Sequence, residues 1–211
     1  MAKSSVNGPP TAVETLTPRG RRTRDALLDA ARTVFETVGF LDARVEQITR
    51  EAGVSYGTFY RYFQSKEDIF GELSTRLFED MHRWEQKTTG LSPAAKLIAA
   101  NRAYYRAYRR NARMMAIVEQ VATFNVEFQR LRHEHRRQLV DRTARAITRW
   151  QDEGLVRPGL DPRLAARAMF AMVEHTLYLW LIQGEDADEE ALLDTLDRMS
   201  VAALGLDPDD A

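Results

Sequence analysis

The chain has 211 residues, enough for one large domain or two small ones around a substantial core. Apolar residues make up 44% and charged residues 29%, with a formal net charge of −1, so overall charge points to no class of partner. The absence of cysteine excludes a disulfide framework and thiolate metal ligands.

The charge is unevenly spread. Residues 19–24 (RGRRTR) are basic, 102–149 are arginine-rich and 184–211 carry an acidic excess. The opening MAKSSVNGPPTAVETLTP lacks the apolar centre of a secretion signal. The longest strongly apolar run, TLYLWLI at 176–182, is too short to span a bilayer. A soluble, cytoplasmic protein with no membrane partner is the expectation.

Residues 1–18 read as a disordered arm, with small polar residues, three prolines and no periodicity. Helical spacing then begins: Leu27, Ala30, Ala31, Val34 and Val38 recur at three- and four-residue steps, and Gly39 is placed to stop that helix. A short second helix places Val45, Ile48 and Ala52 on one face and ends at Gly53. Ser55 is a candidate cap for a third short helix whose apolar members are Phe59 and Phe63. Ser65 with Asp68 has the capping-box pattern and opens a fourth helix carrying Ile69, Leu73, Leu77, Met81 and Trp84 on one stripe. Longer helices follow at about 93–109, 111–122, 125–153, 162–183 and 188–204, separated by Ser92-Pro93, Gly154, Pro158 and the Asp161-Pro162 start signal. No strand-like alternation occurs. The predicted fold is all-α with about nine helices, in three parts: an arm over 1–18, a head over 19–66 and a larger helical bundle over 67–211.

The second and third helices, joined by the glycine-containing turn Glu51-Ala-Gly-Val-Ser55, match a helix-turn-helix. In that unit the second helix enters the DNA major groove with its N-terminal residues against base edges. A helix reading SYGTFYRYF buries Phe59 and Phe63 and leaves Tyr56, Thr58, Tyr60, Arg61 and Tyr62 on or beside the outer face. Gly57 allows close approach of the DNA backbone, the hydroxyls donate to phosphate, and Arg61 reaches phosphate or guanine. Lys66, at the start of the fourth helix, suits a phosphate contact. Tyrosines that merely roof a small three-helix core are the competing account.

At this point the chain resembles the TetR family of one-component transcriptional repressors. The family signature runs approximately A-G-V-S-x-G-T-(L/F)-Y-x-(Y/H)-F-x-(S/N)-K-(E/D)-x-(L/I), and residues 52–69 read AGVSYGTFYRYFQSKEDI. The resemblance is specific over 23–70 and extends beyond only as a nine-helix layout. It implies DNA contacts from Tyr56, Gly57, Thr58, Tyr60, Arg61 and Tyr62, with Lys66 gripping the backbone. One departure precedes the second helix: where the family usually has a Thr/Ser pair, Ala43 and Arg44 stand, and Arg44 is the candidate for that phosphate contact. The basic run Arg19, Arg21, Arg22 and Arg24 is either a minor-groove or phosphate arm or a solvated tail.

A single helix-turn-helix offers few base contacts, so such proteins commonly pair and read two half-sites. Residues 164–182 are apolar on nearly every face, and 191–204 carry a second apolar stripe. The resemblance makes these the helices of a four-helix bundle across a twofold axis, with Leu177, Trp180, Leu181, Leu192, Leu196 and Met199 as interface candidates; burial within the monomer is the alternative. Between head and interface, large adaptable side chains suit an apolar ligand pocket as well as an ordinary core. The effector candidates are Trp84, Tyr105, Tyr108, Met115, Phe124, Phe128, Trp150, Met172 and His175, because family members generally bind a small effector in this half. Glu174 and His175 are polar residues in an apolar helix and face either a ligand or the dimer partner. Arg102, Arg106, Arg109, Arg110 and Arg113 either steer an anionic effector such as an acyl thioester or form a solvated face.

The function this implies is a dimeric, ligand-responsive repressor of a palindromic double-stranded operator, its fourth helix coupling effector site to head. An effector-independent architectural DNA-binding protein is the alternative. A helical enzyme is the weaker one: His133 and His135 lack the i, i+4 spacing of a helical zinc site, and no phosphate loop or nucleophile elbow stands out. No metal and no cofactor are expected.

Overall fold

A computed structural model describes residues 16–82 and 90–206. Among these the chain is helical throughout, in the order α1 Pro18–Asp42, α2 Val45–Glu51, α3 Tyr56–Phe59, α4 Lys66–His82, α5 Pro93–Arg110, α6 Ala112–Ala122, α7 Val126–Asp152, α8 Pro162–Leu181 and α9 Glu189–Ala203. The boundaries follow local chemistry. Pro18, Pro93 and Pro162 occupy first-turn positions, where a missing N–H costs nothing. Thr17, Ser92, Asn125, Asp161 and Asp188 each accept a hydrogen bond from a free amide of the turn they cap. Gly39 breaks α1 with a φ of 80°, and Gly53 turns α2 toward α3 with a φ of 64°, conformations that strain any residue with a Cβ.

Residues 16–18, read from the sequence as part of the arm, lead directly into α1. Residues 1–15 lie outside the described residues, but Leu16 is buried, and Thr17 and Pro18 open α1. Arg19, Arg21, Arg22 and Arg24 therefore lie on the first turns of a helix. Arg24 is buried: its guanidinium grips both carboxylate oxygens of Glu72 on α4 and lies 4.9 Å from the Phe63 ring centre.

In the head, α1 packs on α2 and α4 around Leu27, Phe35, Ile48, Phe59, Phe63 and Phe70. The larger half is built on two long pairs, α7 with α8 and α5 with α9. The head is continuous with it: α1 packs on α6, and Phe128 of α7 meets Phe40 and Phe70 at ring distances of 6.2 and 4.9 Å. A second, smaller core at the far end joins Leu97, Ile147, Trp150, Val156, Val201 and Leu204.

Candidate nucleic-acid interface and effector core

The outward surface of α3 is set by what its inward surface buries. Phe59 and Phe63 are fully buried, while Tyr56, Gly57 and Arg61 are exposed. Tyr56 is 49% exposed, and nothing lies within 4 Å of a Cβ placed on Gly57. The Tyr56 and Tyr60 hydroxyls are 3.0 Å apart with their rings 5.1 Å apart, so the two side chains form one platform. The bond with Tyr56, then partial burial, pushes the Tyr60 phenol up to about 12. Thr58 shares a 2.8 Å hydroxyl contact with Ser55, whose side chain makes this bond and does not cap α3. Arg44 and Arg61 are exposed. A groove between Thr17, Arg19, Gly20 and Thr23 of the α1 start and Thr58 and Arg61 runs alongside.

Two expected DNA contacts are placed differently. Tyr62 is 8% exposed and belongs to the core of the head. Lys66 turns inward: its ammonium donates to the Phe40 and Leu41 carbonyls at 2.8 and 3.2 Å and lies 4.6 Å from the Phe40 ring centre. It closes the last turn of α1, where free carbonyls attract a cation. Lys66→Ala is expected to cost about 1–2 kcal/mol of stability through those bonds. Its loss of DNA affinity is expected to stay well below that of Arg61→Ala, as urea denaturation and a parallel DNA titration will read.

In the larger half the structure redistributes the effector candidates. Trp84 lies outside the described residues. Tyr108 and Met115 are fully buried at the bundle centre, and Met172 is half-buried against the same core. Phe128 belongs to the head junction, and Trp150 to the far core. Tyr105 donates to Glu189 at 2.6 Å and stacks on Trp180, which ties α5 to α8 and α9. Phe124 is 52% exposed, and His175 is exposed and stacks on Tyr178, so neither lines an interior pocket. Leu177 and Leu196 are buried in the monomer core, so they leave the interface set; Trp180, Leu181 and Leu192 are half-buried and Met199 is exposed.

The arginine run on α5 is largely structural. Arg102 pairs with Asp197 and Glu190, Arg109 with Glu189, and Arg110 with Asp80. On α7 and α8, Arg136, Arg137, Arg163, Arg167 and His133 line an open groove with Val140 and Leu164; Arg136 pairs with Glu174, Arg137 with Glu134 and Arg163 with Asp141.

A polar centre that periodicity did not reveal sits among α5, α6, α7 and α8. Arg132, only 3% exposed at its side chain, donates through Nε to Glu119 at 2.6 Å and through Nη2 to Glu174. Glu174 also accepts from Arg136 at 3.0 Å. The signal available in the sequence was Glu174, a carboxylate inside a largely apolar stretch. Beside it, Tyr104 lines a cavity of about 60 Å³ with Leu97, Leu139, Met169, Phe170 and Val173. That is room for about two waters, well short of the roughly 300–1,000 Å³ of a ligand pocket.

His135 on α7 stacks on Phe78 of α4, with centroids 4.1 Å apart, and meets the His82 ring edge-on. Burial first, then the charges of Arg132, His82 and Arg136, hold its pKa down at about 2; burial likewise lowers His82. In the unfolded chain both imidazoles return toward about 6.5. Their contribution to stability is therefore present above pH 6.5 and is lost as pH falls from there toward 2. Each proton taken up on unfolding steepens the loss by about 1.4 kcal/mol per pH unit. Urea titrations between pH 7 and 5 are expected to show this decline, and His135→Phe to flatten it.

The family model described as “Bacterial regulatory proteins, tetR family” matches residues 27–73, the head with its exposed α3. A second, “Tetracyclin repressor-like, C-terminal domain”, matches residues 90–203, over half of the chain. The chain belongs to the TetR family of transcriptional regulators. This TetR-family protein is 25% identical over 181 residues to the “Fatty acid metabolism regulator protein” of Bacillus subtilis (strain 168), covering 84% of this chain and 93% of that one. It superposes with a TM-score of 0.72 and 26% identity on the transcriptional regulator FadR from Bacillus subtilis in complex with stearoyl-CoA, covering 85% of this chain and 98% of that one. The fatty acid degradation regulator FadR from Bacillus halodurans shares the fold with a TM-score of 0.70 at 22% identity, over 92% of this chain and all of that one. Among the described residues of the TetR-family chain, no helix is long and apolar enough to cross a membrane.

Proposed function

We propose that the protein is a dimeric repressor that binds a palindromic operator and releases it when a largely apolar, acyl-bearing effector enters the bundle. The observation that carries the DNA-binding reading is the outer face of α3. Tyr56, Tyr60 and Arg61 stand around the open Gly57, over a core that holds them rigidly. In this reading Arg44 and Arg61 contact phosphate or guanine, the hydroxyls of Tyr56, Thr58 and Tyr60 contact phosphate, and Arg19 and Arg22 reach the flanking backbone.

Pairing is supported by an unpartnered stripe. Leu164, Ala168, Ala171 and His175 follow one exposed edge of α8, and Ala191, Thr195, Met199 and Ala202 one edge of α9. Small residues with one large apolar side chain per helix suit close helix packing across a twofold axis. Met199→Glu is expected to shift the protein to a monomer in sedimentation velocity and to weaken operator binding at least tenfold, since half of the phosphate and base contacts are lost.

The acyl effector is supported by the relatives that are fatty acid regulators, one of them holding stearoyl-CoA, and by the apolar lining around the bundle centre. The arginine groove between α7 and α8 suits the phosphates of such a molecule. Because the interior cavity is small, entry of an acyl chain requires α7 and α8 to move from α5, and α4 follows α7 through the Phe78–His135 stack. The deciding experiment is binding to the DNA flanking the gene at several salt concentrations, for wild type, Tyr60→Ala and Arg61→Ala, each with and without stearoyl-CoA. Competitor-resistant binding that both variants weaken and stearoyl-CoA releases supports the reading. Binding without sequence preference, unmoved by the acyl compound, supports an architectural protein and overturns it.

A further inference from the structure

Six of the seven buried side-chain nitrogen and oxygen atoms without a hydrogen-bond partner, among the described residues, lie at the polar centre or against it. They are the hydroxyls of Tyr104 and Tyr108, Nη1 of Arg132, both ring nitrogens of His135 and Nε2 of His82. Native interiors leave few such groups, because each lost bond costs most of the group's desolvation. The Tyr104 and Tyr108 rings are 5.9 Å apart on adjacent turns of α5, and both feel the charges of Arg132, Arg136 and Glu119.

Three of these groups carry protons to donate. Nη1 of Arg132 only donates, and the phenols, which donate as well as accept, keep their protons because burial raises their pKa. A partner that brings an acceptor can take these protons. The formal charge is already balanced, with Arg132 and Arg136 against Glu119 and Glu174. A free carboxylate would add an uncompensated charge to a buried, neutral cluster, whereas an uncharged carbonyl oxygen would take the waiting donors at no such cost. The small cavity beside Tyr104, lined by Leu139, Met169, Phe170 and Val173 together with Asn101 and Thr143, would widen to take a hydrocarbon chain.

We propose that Tyr104, Tyr108 and Arg132 form a carbonyl anchor inside the bundle, which selects an effector bearing a neutral ester, thioester or amide carbonyl on an apolar chain over the corresponding free acid. This rests on the acyl-effector reading above. The anchor also explains how occupancy reaches the head: Arg132 and His135 both pack on Phe78 of α4, the helix that carries Lys66 and Glu72 into the DNA-binding unit.

The test compares three probes on the full-length protein by calorimetry: stearoyl-CoA, its thioether analogue without the carbonyl oxygen, and stearate. Wild type is expected to bind stearoyl-CoA about tenfold or more tightly than either of the others, the worth of one or two well-made bonds. Tyr104→Phe with Tyr108→Phe is expected to reduce stearoyl-CoA binding to the level of the thioether and to leave thioether binding unchanged. The same double variant is expected to melt at the wild-type temperature or above, since the hydroxyls it removes have no partner to lose. Equal binding of stearoyl-CoA and thioether by wild type overturns the anchor and leaves the acyl reading standing, as does discrimination that survives the double variant. Failure of all three probes to bind overturns the acyl reading and the anchor together.

Discussion

Glu174→Ala is expected to lower stability by about 3–5 kcal/mol, the usual result of removing one partner from a buried ion pair. The cause is the charge left behind. Arg132 is almost wholly enclosed and is held by Glu119 on one side and Glu174 on the other; Arg136 shares the second carboxylate. Without Glu174, Arg132 keeps one counter-ion and loses a charge-assisted bond in a setting where water does not replace it. For a chain of this size the loss corresponds to a fall in Tm of roughly 10 °C. Glu174→Gln keeps an acceptor and is expected to cost less. Arg132→Met combined with Glu174→Leu is expected to recover most of the deficit, since the isolated charge goes with its partner. Urea denaturation of the four proteins measures this. A deficit below about 1 kcal/mol for Glu174→Ala would mean that solvent reaches Arg132, and that the pair is worth no more than a surface bridge.

Gly57→Val is expected to separate DNA binding from folding. Gly57 lies on the exposed turn of α3 with open space where a Cβ would stand, and its φ is not positive, so a side chain there meets nothing in the free protein. Replacing a helical glycine reduces the entropy lost on folding, so stability should be unchanged or slightly higher. The same side chain would hold the DNA backbone away from Tyr56, Thr58 and Tyr60 at once. Losing one or two contacts worth about 1–3 kcal/mol each predicts a fall in operator affinity of tenfold to several hundredfold. Gly57→Ala should lie between, and anisotropy titrations against melting curves will show both. Unchanged affinity in Gly57→Val would remove α3 from the DNA interface.

Much of the head was legible along the chain because its signals are local. Helix starts and stops depend on residues within one turn, so Gly39 and Gly53 mark boundaries directly. The outward placement of Tyr56, Gly57 and Tyr60 follows from Phe59 and Phe63 four residues apart. The limits of that reasoning show at Tyr62 and Lys66. Their direction depends on how α3 and α4 seat against α1, and α1 offers Lys66 two free carbonyls that a motif does not display.

In the larger half, sequence alone determined the class, the helix register and which stretches are apolar enough to be buried. Tertiary structure decided which buried side chains meet. Arg24 with Glu72, Arg132 with Glu174 and Tyr105 with Glu189 join residues far apart in the chain, on helices whose mutual rotation no periodicity encodes. The same rotation sends Phe124 into solvent and Leu177 and Leu196 into the monomer core, although all three share the composition of pocket or interface residues. Apolar spacing says that a helix has an inside. Only the packing of neighbouring helices says what that inside touches, because a pairing energy depends on distances set by every element at once.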